Sequence, residues 1–163
     1  MIDIPEGVNV RVENHTVIAK GPAGEVRKTF SKEASVKVSG NAAEVTAKDK
    51  MMTNTVEAIL RCMVLGAKSG YKTNLKLIYA HFPITLEIKG KDISVKNFLG
   101  EKQARKARVM GTTKVEAKGQ SVTISGPDKE DVGQTIANLR TAMRIKDKDP
   151  RVFQDGIYDA EGE

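Results

Sequence analysis

Histidine and cysteine, the side chains most often at work in catalytic and transition-metal sites, are scarce in this chain. It has two histidines, His15 and His81, and one cysteine, Cys62. His15 falls in a turn and His81 at a strand end, far apart in sequence, so neither is expected to serve catalysis or hold a metal. One cysteine excludes an internal disulfide and a cysteine-only metal site. Cys62 lies near a helical apolar stripe, where a thiol usually acts as a small hydrophobe. Neither a Walker-type glycine loop nor a GxSxG elbow is present. Gly21-Pro22-Ala23-Gly24 has the wrong spacing for a phosphate cradle and does not lead from a strand into a helix, so it reads as a strand-connecting loop. The expectation is of no catalytic residue, no cofactor, no metal and no small-molecule substrate.

The cations carry more information. The formal charge is +6 and the pI about 9.4, a balance that favours a polyanionic partner. Residues 83–163 carry only a small net excess, 15 basic against 13 acidic, but the two signs are segregated. From Lys89 to Lys118 there are nine basic residues against three acidic ones, whereas from Asp155 onward there are four acids and no base. The segment from Asn97 to Arg108 places Lys102, Arg105, Lys106 and Arg108 in an expected loop. Like charges repel there in water, and the same cluster set against phosphates releases counterions and gains affinity. Arginine can also grip phosphate oxygens with two parallel bonds. Asn97 and Gln103 can add hydrogen bonds. Phe98 has two readings, a stacking platform for a base or a plug for the domain core, and the core reading is favoured. A second basic stretch runs from Arg140 through Arg144, Lys146 and Lys148 to Arg151, interrupted by Asp147 and Asp149.

The elements expected to position these residues form a unit used twice. Val8, Val10 and Val12 alternate with polar residues, Asn14-His15 turns, and Thr16 to Lys20 returns, which is strand periodicity. With Val8 laid over Ile84 the pattern recurs: Ile84, Leu86 and Ile88 alternate, Lys89-Gly90-Lys91 turns, and Ile93 and Val95 return. On that offset Gly100-Glu101 matches Gly24-Glu25. The later part of the unit repeats on a slightly longer offset, with hairpins at 36–47 and 115–125. The difference between the two offsets is a longer loop in the second copy. A helix follows each hairpin. Met52, Val56, Ile59, Leu60 and Met63 make one apolar stripe, and Val132, Ile136, Leu139 and Met143 make another, with Asp128 as N-cap.

The expected fold class is α+β, two tandem and structurally similar domains, each an antiparallel sheet with one helix packed on a face. The boundaries read as 1–82 for the first repeat, with a final strand at Leu75–Phe82, 83–145 for the second, and 146–163 for an extended tail. Aromatic residues make up 4% of the chain, so the cores must be built from aliphatic side chains. No apolar run approaches the ~18 residues needed to span a bilayer, and Met1-Ile2-Asp3-Ile4-Pro5 lacks the pattern of a signal peptide. The cytoplasm is the expected compartment, with no membrane partner.

With the repeat in place, the chain resembles the archaeal and eukaryotic branch of the large-subunit ribosomal protein six family. The most specific stretches are Gly70-Tyr71-Lys72 leading to Tyr79-Ala80-His81-Phe82-Pro83, and the tail from Lys148-Asp149-Pro150-Arg151 to Tyr158. The resemblance covers essentially the whole chain. It implies an ancient duplication and a second domain that makes most contacts to large-subunit rRNA, close to the sarcin–ricin loop and the docking site of translation GTPases. Carried onto this chain, it points to the loop from Lys91 to Arg108, including Lys96, and to the tail from Lys146 to Phe153. Neighbouring large-subunit proteins are the other implied partners. Tyr71 and Lys72 read either as RNA contacts or as an inter-domain joint. The acidic end, Asp159 to Glu163, offers no phosphate contact and is expected in solvent or against a basic neighbour.

Two other classes compete. A non-ribosomal protein-interaction module would bind without salt sensitivity and would not need the 102–108 cluster. A general nucleic-acid binder would take duplex DNA and rRNA about equally well.

Overall fold

The computed structural model describes residues 2–40, 42–149 and 151–160. It consists of two compact units: residues up to Tyr71 together with Gly126–Lys129, and Lys72–Ser125 together with the chain from Glu130 onward.

The first unit opens with β1 (Ile2–Asp3) and continues through β2 (Asn9–Glu13), β3 (Thr16–Gly21), β4 (Gly24–Thr29), β5 (Ala34–Ser39), β6 (Ala42–Ala47) and the helix α1 (Lys50–Ser69). Two three-stranded sheets result, in the orders β2-β3-β4 and β1-β6-β5. The period-2 alternation sends Val17, Ala19 and Val26 to one face. There they share a core with Val45 and with Val56, Leu60, Met63 and Ala67 of α1. The turn at Asn14 is left-handed, with φ of 55°, a conformation asparagine tolerates better than most residues. The Gly21–Gly24 loop joins β3 to β4 and closes on the end of α1, where the Ala23 N–H donates to the Ala67 carbonyl at 3.0 Å. A Cβ on Gly21 would lie 2.4 Å from that carbonyl oxygen, so the glycine is required by close approach of backbone rather than by a ligand.

Apart from Tyr71, Gly126 and Lys129, which group with the first unit, the second unit is built from β7 (Tyr71–Ile78), β8 (Thr85–Lys89), β9 (Asp92–Lys96), a short 3-10 turn η1 (Phe98–Gly100), β10 (Arg105–Arg108), β11 (Lys114–Lys118), β12 (Ser121–Gly126), α2 (Lys129–Ala142) and β13 (Gly156–Asp159). Its sheets run β10-β9-β8 and β11-β12-β7-β13. Leu75, Leu77, Val122, Ile124 and Ile157 are buried on one face of the larger sheet, as are Val132, Leu139 and Met143 at α2. Each unit is thus antiparallel strands plus one helix that covers a face.

The repeat is visible in the strand register. Asn9 pairs with Lys20 in the first unit, and Thr85 with Lys96 in the second, so both partners move along the chain by the same offset that carries Val8 onto Ile84.

Two segments differ from the sequence reading. The strand expected at Leu75–Phe82 as the end of the first repeat lies at Tyr71–Ile78, and it is hydrogen-bonded between β12 and β13. Its alternating Leu75 and Leu77 need an apolar face to bury against, and the register supplies one, with Leu77 opposite Ile157. The tail after Arg144 is not extended throughout. It folds back, and Gly156–Asp159 pairs with β7. Pro150 and Glu161 to Glu163, quoted above for the tail and the acidic end, lie outside the described residues.

Candidate nucleic-acid interface

The extra residues of the second copy fall in the loop between β9 and β10, and the register shows where. Ile18 pairs with Arg27 in the first unit. Its counterpart Ser94 pairs with Lys106, where an unchanged offset would have supplied Gln103. The offset therefore lengthens within this loop. Gly24 corresponds to Gln103, not to Gly100 as the Gly-Glu match suggested, because hydrogen-bond pairing rather than a shared dipeptide fixes the alignment. The longer loop winds through η1. Asn97 and Leu99 both take left-handed backbone, with φ of 58° and 53°, and Gly100 has φ of 77°. The Asn97 side chain donates Nδ2–H to the Pro83 carbonyl at 3.1 Å, tying the loop to the chain just before β8. A Cβ on Gly100 would sit 3.2 Å from the Phe82 ring. Phe98 is 1% exposed and so plugs the core, the favoured one of its two sequence readings.

Arg105 is the residue whose role changes most. The register places it opposite Val95, as Val26 stands opposite Ala19 in the first unit. It therefore occupies the inward position that a buried valine fills in the first copy. A guanidinium there must have its donors satisfied. Nε donates to Glu101 Oε2 at 2.8 Å, and Nη2 donates to Glu101 Oε1. Nη1 donates to the carbonyls of Ala142 and Arg144 at 3.0 and 2.8 Å. Its Cζ lies 4.5 Å from the centroid of the Phe98 ring. Arg105 thus braces the loop against the C-terminal end of α2, where orphan carbonyls need donors. In the first unit it is the backbone N–H of Ala23 that bonds the end of α1, at the Ala67 carbonyl.

That bond shifts both partners. The hydrogen bond from Arg105 holds the Glu101 carboxyl below its ordinary range, and the bond to Glu101 raises Arg105 further above its own. A depressed carboxylate pKa contributes stability that is full above the unfolded value of about 4.3 and lost as pH falls through the lower folded value. Unfolding midpoints measured across that acid window are expected to fall less steeply for Glu101→Gln than for the wild type. Equal slopes would mean that the ion pair carries none of the acid dependence.

With Arg105 turned inward, the remaining loop cations face solvent. Lys106 and Arg108 lie on the outer side of β10, with Ala107 buried between them. Lys91, in the hairpin turn, and Lys102 and Gln103, in the loop, are exposed. Among the described residues no ion pair engages Lys91, Lys102, Lys106 or Arg108. Lys96 differs, because its ammonium sits 2.5 Å from Glu87, and the hydrogen bond from Lys96 is the main cause of the lowered Glu87 pKa. The run is thus less one-signed in space than in sequence.

The second basic stretch is also sorted by the fold. Arg144, Lys146 and Arg151 are exposed. Asp149 organises the turn after them, its carboxylate accepting from the Arg151 N–H at 2.9 Å and its carbonyl from the Phe153 N–H at 3.0 Å. Phe153 is engaged by two side chains: the His81 ring stacks on it at a centroid distance of 4.8 Å, and the Lys148 ammonium lies 4.7 Å from its centre. Its ring is a structural contact here. Asp155, which the sequence grouped with the acidic end, is buried and accepts from the Ala80 N–H at 3.2 Å and pairs with His81 Nδ1 at 3.3 Å. Asp159, which stays exposed, pairs with Arg140. No group of three or more potential metal ligands occurs among the described residues, and no helix is long and apolar enough to cross a membrane.

Comparison with known proteins bears on the family and on the repeat. The family model of ribosomal protein L6 matches residues 4–70 and again 82–156, one match for each copy of the repeat. The chain is 44% identical to the large ribosomal subunit protein uL6 of Methanobrevibacter smithii, over 96% of this chain and 92% of that protein. It is 40% identical to the protein of the same name from Methanosarcina mazei, over 96% and 93% of the two chains. For the Sulfurisphaera tokodaii protein the figures are 38%, 96% and 88%.

Proposed function

The chain belongs to the ribosomal protein L6 family, and from that premise we propose that it is a structural component of the large ribosomal subunit that binds large-subunit rRNA through its second unit, near the sarcin–ricin loop and the docking site of translation factors. The observation that carries this reading is the set of exposed cations Lys91, Lys102, Lys106 and Arg108 on the β9–β10 loop and its flanks, which no carboxylate among the described residues neutralises. Arg144, Lys146 and Arg151 add a second set beyond the end of α2. The Arg105 fork joins the two regions, since it bonds the loop residue Glu101 and the Arg144 carbonyl at once.

Such a surface works by placement. A rigid strand–helix body fixes the cations, which neutralise phosphates and lower the repulsion between packed RNA helices. Lysine ammoniums read no base edge in an A-form groove, so recognition follows the shape of the folded rRNA rather than a sequence motif. Phe98 is buried in the core, Asn97 gives one N–H to Pro83, and exposed Gln103 is the loop's other amide. The protein has no catalytic part in this account; it steadies the RNA platform on which factor-dependent GTP hydrolysis takes place, among neighbouring ribosomal proteins in the cytoplasm.

Sedimentation with ribosomal subunits stripped of their own copy tests the reading. The chain is expected to co-migrate with large subunits and not with small ones, and to lose the association as salt rises. Equal recovery with large subunits, small subunits and duplex DNA would make it a general nucleic-acid binder. Association indifferent to salt would favour a protein-docking module.

A further inference from the structure

The larger sheet of the second unit has an outer face that none of these contacts uses. Its inner face is apolar, built from Leu75, Leu77, Val122, Ile124 and Ile157. The alternate residues must therefore point the other way. On β7 these are Lys72, Asn74 and Lys76, and on β12 Ser121, Thr123 and Ser125. On β11 they are Lys114, Glu116 and Lys118, which pair with Ser125, Thr123 and Ser121 in turn. Thr123 Oγ1 donates to Asn74 Oδ1 at 3.2 Å, so Asn74, Thr123 and Glu116 form a middle row across three strands. A lysine stands two residues to either side of Asn74 on β7 and of Glu116 on β11.

Strand geometry sets the spacing. Residues four apart lie about 13 Å apart along a strand, and strands two places apart are separated by about 10 Å. Four ammonium groups thus frame a rectangle of about 10 by about 13 Å, with hydroxyls and an amide inside it and one carboxylate. All four lysines are exposed, and no ion pair engages them among the described residues. Lys72, Lys118, Glu116 and the three hydroxyl residues line a hollow of about 360 Å³ on this face.

We propose that this face is a second RNA-binding surface, fitted to the backbone of a double-stranded RNA segment other than the one held by the β9–β10 loop. The charge is four positive to one negative, which selects a polyanion. The serine and threonine hydroxyls and the Asn74 amide can exchange hydrogen bonds with phosphate oxygens and 2′-hydroxyls. No aromatic ring lies within the lysine frame to stack a splayed base; Tyr158, opposite Lys76 on β13, stands at its margin. A polar face with peripheral cations suits the wide, accessible minor groove of an A-form helix. The proposal rests on the rRNA reading for the source of that helix.

Lysine acetylation footprinting of the full chain, free, bound to protein-free large-subunit rRNA, and in the assembled subunit, tests it. Protection of Lys72, Lys76, Lys114 and Lys118 in the rRNA complex, together with Lys102 and Lys106, is the expected result. The fourfold alanine variant at 72, 76, 114 and 118 should then show a slope of log affinity against log salt reduced by about 3. If the four stay reactive on rRNA while Lys102 and Lys106 are protected, the sheet face is no RNA surface and the loop reading stands. Protection only in the assembled subunit would assign the face to a neighbouring protein and overturn the proposal. If no lysine is protected on rRNA, both the proposal and the rRNA reading fall.

Discussion

Arg105→Ala is expected to destabilise the second unit by about 3 kcal/mol, far more than removal of any other cation in the loop. Four hydrogen bonds end on this one guanidinium, two to Glu101 and two to the carbonyls of Ala142 and Arg144. A hydrogen bond to a charged group contributes about 1.5–3 kcal/mol, and bonds that share one side chain are not additive. Truncation also uncovers the Phe98 ring on which the guanidinium lies. For a unit of this size, a loss of about 3 kcal/mol lowers the thermal midpoint by roughly 12–24 °C. Arg105→Lys should recover little of it, because one ammonium cannot serve a carboxylate and two carbonyls in the fork's geometry. Lys102→Ala, at an exposed site with no ion-pair partner among the described residues, should stay within about 0.5 kcal/mol. Denaturant unfolding of the three variants separates these cases, and an Arg105→Ala midpoint as mild as that of Lys102→Ala would remove the bracing role.

The second large effect is on affinity. Replacing Lys102, Lys106 and Arg108 together by alanine leaves the fold intact, since all three are exposed. Each phosphate contact contributes about 0.7–0.9 to the slope of log affinity against log salt, which is about 5–8-fold at ~0.1 M salt. Three contacts multiply to about a hundredfold or more. Titration of large-subunit rRNA against the triple variant should show that loss at about 0.1 M salt, a slope smaller by about 2–3, and convergence with the wild type toward about 1 M. A parallel loss at every salt concentration would point to a damaged fold instead. Undiminished affinity would move the anchor to Arg144, Lys146 and Arg151 or to the outer sheet face.

These two expectations show what the sequence could disclose. The alternating valines of β2, the stripe of α1 and the duplication were legible because each is periodic and local. The change of offset between the two copies was legible too, but its position was not, since Gly100-Glu101 copies the dipeptide Gly24-Glu25 while the strands pair in another register. Arg105 looked like one phosphate ligand among four. Its inward position emerges only when β10 is paired with β9 and Val26 is found in the same place of the first copy. A local hint was present in Glu101, just upstream, although the two are joined across a loop and not along a helix. The fold-back of the tail was hidden for a different reason. Gly156–Asp159 is too short for periodicity to show, and its partner β7 lies far upstream, ahead of every other strand in the second unit. Phe153 and Asp155 read as tail residues because the groups that engage them, His81 and the Ala80 N–H, are equally remote.

The central claim is that the outer side of β10 lies against large-subunit rRNA. It is tested most directly by a photo-reactive group placed there: Lys106→Cys carrying a benzophenone, in a Cys62→Ala background, assembled into large subunits and irradiated. The account predicts crosslinks to large-subunit rRNA, mapping beside the sarcin–ricin loop. Crosslinks to protein alone, or to no macromolecule at all, would contradict it.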